Sequence, residues 1–353
     1  MNRINVSELR PKQDITSVFV LKYLAIMSAK DGKKYLNVIL SDATGDLESR
    51  VWTNAEDIYQ KFDKGQFVQV QGKVNMFQGR KQFIIQEMEL VDPKDVNEAD
   101  YVASSEFDSE QMYQELTAIV TNLEDIYIKE LLTHILNDSE IARRLKKWQA
   151  GKTIHHAYQG GLLEHILSCA NLAVQLSPIY KVNTSYVVAG AILHDLCKIY
   201  ELTDDINVEY TEEGKLVGHL VKGLEIIDRF SYKMNDFPYQ MKLHLKHILL
   251  SHHGEYAYGS PKIPQTSEAM LVHMIDLMDS KMHTFKAIKK SDNNTGHWSS
   301  YVGHMDRIIF KEELPTFTEY QNSSDKKVDS PKNKKANNEL THSLGDALKN
   351  FKV

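Results

Sequence analysis

Ala191-Ile192-Leu193-His194-Asp195-Leu196-Cys197-Lys198 is the stretch on which the reading of this chain turns. The run is mostly apolar, and so are the residues leading to it from Tyr186. Asn183-Thr184-Ser185 offers a side-chain cap just before them. The pattern predicts a buried helix with His194 and Asp195 in its last turns. A carboxylate there is costly unless something positive compensates it. A divalent cation is the natural partner, since imidazole suits Zn, Mn, Fe, Co or Ni and carboxylate suits hard cations.

Adjacent helical residues diverge by about 100°. His194 and Asp195 therefore share one ion over the edge between them, or reach two. A carboxylate has two oxygens and can bridge; an imidazole cannot. Asp195 is the expected bridge, with His194 on one metal. Lys198 follows on the same face and is expected to hold a phosphate oxygen.

Further ligand candidates lie in separate stretches of helical period: His165 in 162–176, His219 in 216–230, His252 at the end of 243–253, and Asp276 in 269–282. One inward ligand per helix is how helical bundles build metal sites. Two cations roughly 3.5–4 Å apart would clamp a phosphate and activate a water for in-line attack. A lone histidine on an apolar helix is commonly a hydrogen-bonded core residue, and the pairs His155-His156 and His252-His253 are weak signals alone. The ordered set around His194-Asp195 is what points to a metal-dependent hydrolase. Which of His252 and His253 binds metal is open: His252 is the expected ligand, with His253 behind it or touching phosphate. Asp279, one turn after Asp276, is the fallback ligand, and capping or orienting a neighbour is its expected role.

Towards the N-terminus the period is two. Leu36, Val38 and Leu40 alternate with Tyr35, Asn37 and Ile39, and Leu47 and Val51 alternate with Glu48, Arg50 and Trp52. A first strand around Phe19, a helical piece over 54–62, and strands over 66–77 and 81–90 about Gln78-Gly79 complete the set. Five strands with a helix between the third and fourth is the order of an OB-type barrel. From about Ser104 the period becomes helical, with segments at 109–123, 126–137 and 139–148. The expected architecture is multidomain α+β, a five-stranded OB barrel followed by an all-α domain. Its divisions are an extension over 1–15, the barrel over 16–91, a linker over 92–108, connecting helices over 109–150, the metal-binding domain over 151–315 and a polar tail over 316–353.

If Leu36, Val38, Leu40, Leu47 and Val51 face the core, then Tyr35, Asn37, Arg50 and Trp52 share the opposite face. The second and third strands of such barrels present the ligand surface, and aromatic rings beside a guanidinium suit unpaired bases. Lys33, Lys34, Arg80 and Lys81 sit at turn ends, where they could meet phosphates. Each alone reads more readily as a solvated surface residue than as a phosphate contact, and Trp52 could be packed under the linker.

With 353 residues and a net charge of −6, the chain does not resemble a protein that coats nucleic acid non-specifically. A local basic groove is compatible with that total. No apolar stretch reaches the roughly 18 residues that span a bilayer, and the first residues lack a signal core. The expected compartment is the cytoplasm, with no membrane partner. Cys169 and Cys197 are too few for a disulfide framework and are expected as buried thiols. The tail from about Asn322 is too polar to fold alone. Leu340, Leu344, Leu348 and Phe351 leave a weak amphipathic pattern at its end, and fraying is the simpler expectation.

His165, His194-Asp195, His219, His252-His253 and Asp276 match the motif order of the HD phosphohydrolase superfamily. The runs from His155 to His165 through Gly160-Gly161, from Ile192 to Lys198, from Leu250 to Gly254, and Gly259-Ser260-Pro261-Lys262-Ile263-Pro264 resemble one branch more closely. With an OB barrel in front, the chain resembles the YhaM-type 3′-5′ exoribonucleases of Gram-positive bacteria over about 15–315. The resemblance implies an HD-type helical domain and divalent-metal-dependent removal of nucleotides from the 3′ end of single-stranded RNA, with ssDNA as a candidate second substrate. It implies Mn²⁺ as the plausible ion of a two-ion site, with Co²⁺, Fe²⁺ or Mg²⁺ as substitutes. Asp195, Lys198 and His253 are then the expected catalytic residues. Cys197 departs from the small residue, often Gly, found before the lysine in that superfamily, and the tail lies beyond the resemblance. Rival readings are an HD nucleotidase or cyclic-dinucleotide phosphodiesterase, and a non-enzymatic single-stranded-DNA-binding replication factor. A homo-oligomer is compatible with the large helical surface.

Overall fold

The computed structural model describes residues 3–77, 79–152, 156–292 and 296–314. Expectations that fall on Gln78, His155 and the tail lie outside them. Strands β1 (Asp14–Ser28), β2 (Lys34–Asp42), β3 (Gly45–Val51), β4 (Phe67–Phe77) and β5 (Arg80–Leu90) form a closed barrel in the order β1-β2-β3-β5-β4. A short helix, α1 (Ala55–Lys61), lies between β3 and β4. Closure comes from β4 returning antiparallel to β1 and from β3 meeting β5 in parallel, Ser49 opposite Phe83.

Leu36, Val38, Leu40, Leu47 and Val51 all point into the barrel with Phe19, Leu21, Val68, Val70 and Phe83. A shift of one residue would send all of a strand's inner side chains to solvent, so this alternation fixes the register. At the β2–β3 turn the buried Asp42 carboxylate accepts hydrogen bonds from the Thr44 backbone N–H (2.7 Å) and hydroxyl (2.6 Å). It also accepts from the Val6 N–H at 2.8 Å, which ties the residues before β1 to the barrel.

The helices are α2 (Ser109–Thr121), α3 (Ile126–Leu136), α4 (Ser139–Leu145), α5 (Gly161–Tyr180), α6 (Thr184–Leu193), α7 (Lys198–Glu201), α8 (Glu212–Leu216), α9 (Gly218–Ser231), α10 (Tyr239–Ser251) and α11 (Ser267–Ser291). Side chains of Asp108, Asp125, Asp138, Asn183 and Thr266 accept first-turn N–H groups, so the helices start where the cap chemistry places them. None of these helices is long and apolar enough to cross a membrane. Both cysteines are buried free thiols.

The helix α6 lies in the centre of the helical core, with Val187, Val188, Ala189, Ala191 and Ile192 at most 1% exposed. A Cβ on Gly190 would lie 2.6 Å from Ile248 Cγ2 and 2.7 Å from Val272 Cγ2. Only glycine lets α10 and α11 approach α6 this closely. One expectation needs correcting here. The helix ends at Leu193, with His194 as its C-cap; a turn covers residues 194–197 before α7 begins. The turn lets His194 and Asp195 face one centre despite their adjacency.

The barrel and the helices belong to one compact unit that runs to Lys311. Tyr101, in the connecting segment, is 6% exposed and packs edge-on against Phe67 at 4.9 Å. Val20, Val18, Val91, Val96 and Ile206 complete this small cluster. Ile206 comes from the loop after α7, so the cluster joins the barrel to the element beside His194-Asp195.

Candidate metal centre

Four histidines converge on Asp195, and each has its Nδ1 already engaged. The Nδ1–H of His194 donates to the Ala191 carbonyl at 2.9 Å, and that of His252 to the Leu249 carbonyl at 2.7 Å. Both acceptors are carbonyls three residues back, so local backbone geometry selects the tautomer. His165 Nδ1 lies 2.7 Å from Asp279 Oδ2, and His219 Nδ1 lies 3.0 Å from both Glu201 oxygens. With Nδ1 so occupied, Nε2 is the atom that each ring turns towards Asp195.

Those Nε2 atoms form two sets about the one carboxylate. His165 Nε2 and His194 Nε2 are 3.1 Å apart, and each is 3.6 Å from Asp195 Oδ2. Asp276 Oδ1, from α11, is 3.5 Å from the first and 3.8 Å from the second. On the other side, His219 Nε2 is 3.6 Å and His252 Nε2 3.8 Å from Asp195 Oδ1. His253 joins this second set: one nitrogen from each of His219, His252 and His253 lies within 4.8 Å of the others. Asp195 thus turns one oxygen to each set.

The donor chemistry fits divalent cations. Among the described residues His219 Nε2, His252 Nε2 and His253 Nδ1 are buried without a hydrogen-bond partner. Leaving such atoms unsatisfied costs roughly 1–3 kcal/mol each, a cost that a cation removes. Burial pushes His252 well below the ordinary imidazole value of 6.5 and lowers His194 and His253, so these rings stay neutral ligands. Burial also opposes charge on Asp195, but Lys198, His194, His219 and His165 outweigh it and keep the carboxyl well below its usual range.

His165 behaves differently. Burial opposes a charge, yet the Cys169 sulfur, the Asp279 hydrogen bond and the Asp276 charge together hold the ring well above its ordinary value. Burial pushes the Cys169 thiol up to about 11, so that sulfur is uncharged at neutral pH and the carboxylates carry the effect. Without metal, a proton on His165 Nε2 can bridge to His194 Nε2 at 3.1 Å.

All the sequence-expected ligands, His165, His194, Asp195, His219, His252 and Asp276, are brought together here. Lys198 stands in the same place but pairs with Asp195 Oδ2 at 2.7 Å. Asp279 orients His165 and is itself held by the Ser168 hydroxyl. Three neighbours were not placed beside the ligands from the sequence: Glu201 behind His219, Cys169 3.8 Å from His165 Nδ1, and His156, 3.9 Å from Asp279 Oδ2. A buried acid within the apolar run Ile199-Tyr200-Glu201-Leu202 was the available signal for Glu201.

On the barrel, Tyr35 and Trp52 stack at 4.8 Å and 28°, and Trp52 is 51% exposed. Asn37 and Arg50 are register partners, and the guanidinium donates to Asn37 Oδ1 at 2.6 Å while lying 6.0 Å from the Tyr35 ring. These four form one outward patch. Arg80 and Lys81 open β5, towards the Gly45 end of β3 and away from Trp52; Arg80 pairs with Glu48 at 3.7 Å. Lys34 pairs with Glu56 and Lys33 with Asp31.

Comparison with known proteins agrees with both halves. The HD domain family matches residues 162–281, and the OB-fold nucleic acid binding domain family matches residues 25–91. The 3′-5′ exoribonuclease YhaM of Oceanobacillus iheyensis is 32% identical over 83% of this chain and 91% of its own length. The protein of the same name from Listeria welshimeri is 31% identical over 82% and 91%, and that from Halalkalibacterium halodurans 30% over 84% and 92%. With these identities holding over nearly the full length of the relatives, the chain belongs to the YhaM 3′-5′ exoribonuclease family.

Proposed function

We propose that this protein is a divalent-metal-dependent 3′-5′ exoribonuclease that releases 5′-mononucleotides from single-stranded RNA, with single-stranded DNA as a further substrate. The observation that carries the reading is Asp195, whose two oxygens face two separate sets of imidazole nitrogens. His165, His194, Asp195 and Asp276 would hold one cation. His219, His252 and Asp195 would hold a second, with His253 a ligand or a phosphate contact. When bound, such cations polarise a phosphoryl oxygen and lower the pKa of water; Mn²⁺ is the proposed ion.

The chain's own residues then divide the work. Asp195 fixes the spacing between the two sets, and Lys198 beside it balances the charge and stands ready for a phosphate oxygen. Asp276 is 20% exposed at its side chain, the most open member of its set, and marks the side from which a phosphodiester enters. The barrel over 16–91 holds the strand through Tyr35, Asn37, Arg50 and Trp52, with Arg80 and Lys81 on phosphates. Holding it raises the effective concentration of the 3′ end at the helical domain over 151–315. The proposed setting is the cytoplasm.

Labelled RNA blocked at its 3′ end or its 5′ end, incubated with Mn²⁺ beside free nucleotides and cyclic dinucleotides, tests the reading. Expected is stepwise mononucleotide release from the 5′-blocked strand alone, stopped by a chelator. Turnover of the small substrates with intact RNA would replace it with a nucleotidase, and no turnover of any substrate with a binding protein.

A further inference from the structure

His194 and His252 take their tautomers from carbonyls of their own helical turns, which no side-chain change removes. His219 has no such support. It stands in the first turn of α9, whose N-cap, Val217, offers no side-chain acceptor. Its Nδ1 meets both oxygens of Glu201 at 3.0 Å, and its backbone N–H lies 3.3 Å from Glu201 Oε1. Glu201 ends α7, the same short helix whose Lys198 pairs with Asp195. One helical turn therefore braces two members of the second set.

Glu201 is itself rigidly placed. Its carbonyl accepts the Thr211 N–H at 2.9 Å, and the Thr211 hydroxyl donates to the Tyr200 carbonyl at 2.7 Å. A Cβ on Gly214 would come within 2.2 Å of the Glu201 carbonyl oxygen, so only glycine lets α8 close this tightly on α7. The Glu201 side chain is 12% exposed and faces His219.

We infer that Glu201 is a positioning residue: its carboxylate fixes His219 as the Nδ1–H tautomer and makes Nε2 the atom offered beside Asp195 Oδ1. The inference rests on the metal-centre reading above and adds the device that prepares one ligand of its second cation. A carboxylate can only accept from Nδ1–H, whereas an amide can also donate to Nδ1 and permit the opposite tautomer. Capping of α9 alone would use the backbone N–H contact and leave the ring free to choose. Losing a ligand-orienting partner of this kind typically costs about 10–100-fold in metal affinity.

Two measurements on the full chain test it. Long-range ¹⁵N–¹H spectra of the metal-free, histidine-labelled protein, with His219 assigned by loss of its signals in His219→Asn, should show the proton on Nδ1. Mn²⁺ titration followed by the signal of the free ion should show Glu201→Gln losing about 10–100-fold affinity at one class of site, with its melting temperature close to the parent's. A proton found on Nε2 of His219 overturns the inference, and so does Mn²⁺ affinity of Glu201→Gln within about twofold of the parent. A parent that binds no Mn²⁺ at all would end the metal reading instead, while the tautomer spectrum still judges Glu201. If Glu201→Gln does not fold, the parent spectrum alone decides.

Discussion

Under the proposed reading, loss of Asp195 should separate holding RNA from cutting it. Its oxygens are shared between two sets of histidines and Lys198, whereas the barrel patch is built on Tyr35, Asn37, Arg50 and Trp52. Replacing Asp195 with alanine should lower hydrolysis by at least about 10³-fold, an effect of several kcal/mol on the barrier. Single-strand affinity, read by fluorescence anisotropy, should stay within about threefold. Unchanged turnover would remove Asp195 from the centre. The surrounding histidines set a pH dependence. Burial depresses His252 strongly and His194 and His253 as well. Between those values and 6.5 the unfolded chain binds more protons than the folded one, so stability falls as pH drops through that window. His165 acts in the opposite direction, its stabilisation complete below 6.5 and lost as pH rises through its raised value. Little of that is lost by pH 7, so the three depressed rings dominate. Calorimetry of the metal-free protein should show a melting temperature several degrees lower at pH 5.5 than at pH 7; an equal or higher value at pH 5.5 contradicts the assignment. Which residues would meet at this scale was readable because His194-Asp195 is adjacent in sequence and its companions recur one per helix. The partners behind them were hidden. Glu201 and Ser168 differ from ordinary helical polar residues only in what they face, and facing is set by packing.

At the scale of elements, α6 shows how small residues position the centre. Gly190 lies in the turn before His194, and its missing side chain lets α10, which leads to His252, and α11, which carries Asp276, close on α6. Gly190→Ala would place a methyl within 2.7 Å of Ile248 and Val272. It should destabilise the protein by roughly 1–3 kcal/mol, read as a lower urea midpoint, and weaken Mn²⁺ binding as the helices separate. A midpoint equal to the parent's would mean that the helices accommodate the methyl. On the barrel, Trp52 stacks on Tyr35 with half its surface open. Trp52→Ala should cost about 1–3 kcal/mol of oligonucleotide binding and leave turnover of bis(p-nitrophenyl) phosphate unaltered. Equal loss on both substrates would mark the ring as structural. The strands and most helices could be placed from the sequence because period two and capping residues are local signals. The end of α6 at Leu193 could not, since Leu196 and Cys197 continue the apolar pattern past the true helix end and are buried in the turn as they would be in a helix.

For the whole molecule, the two-part architecture was visible in the change of period near Ser104, and the family comparison agrees with it. The join between the parts was harder to see. The stretch over 92–108 is rich in acids and reads as a loose connection, yet Tyr101 is buried within it against Phe67 and Val20. Two aromatics, Tyr101 and Phe107, in an acidic segment give no periodic signal, and the burial of Tyr101 alone follows from what the barrel presents. Ile206 reaches the same cluster from the loop that follows α7. That anchoring has a consequence for the products. A barrel on a slack leash could follow a transcript down to its last few nucleotides, whereas one seated on a fixed step spans a set length of strand. Digestion would then be fast until the remaining fragment no longer bridges the gap, and short stubs of uniform size would be left for another enzyme.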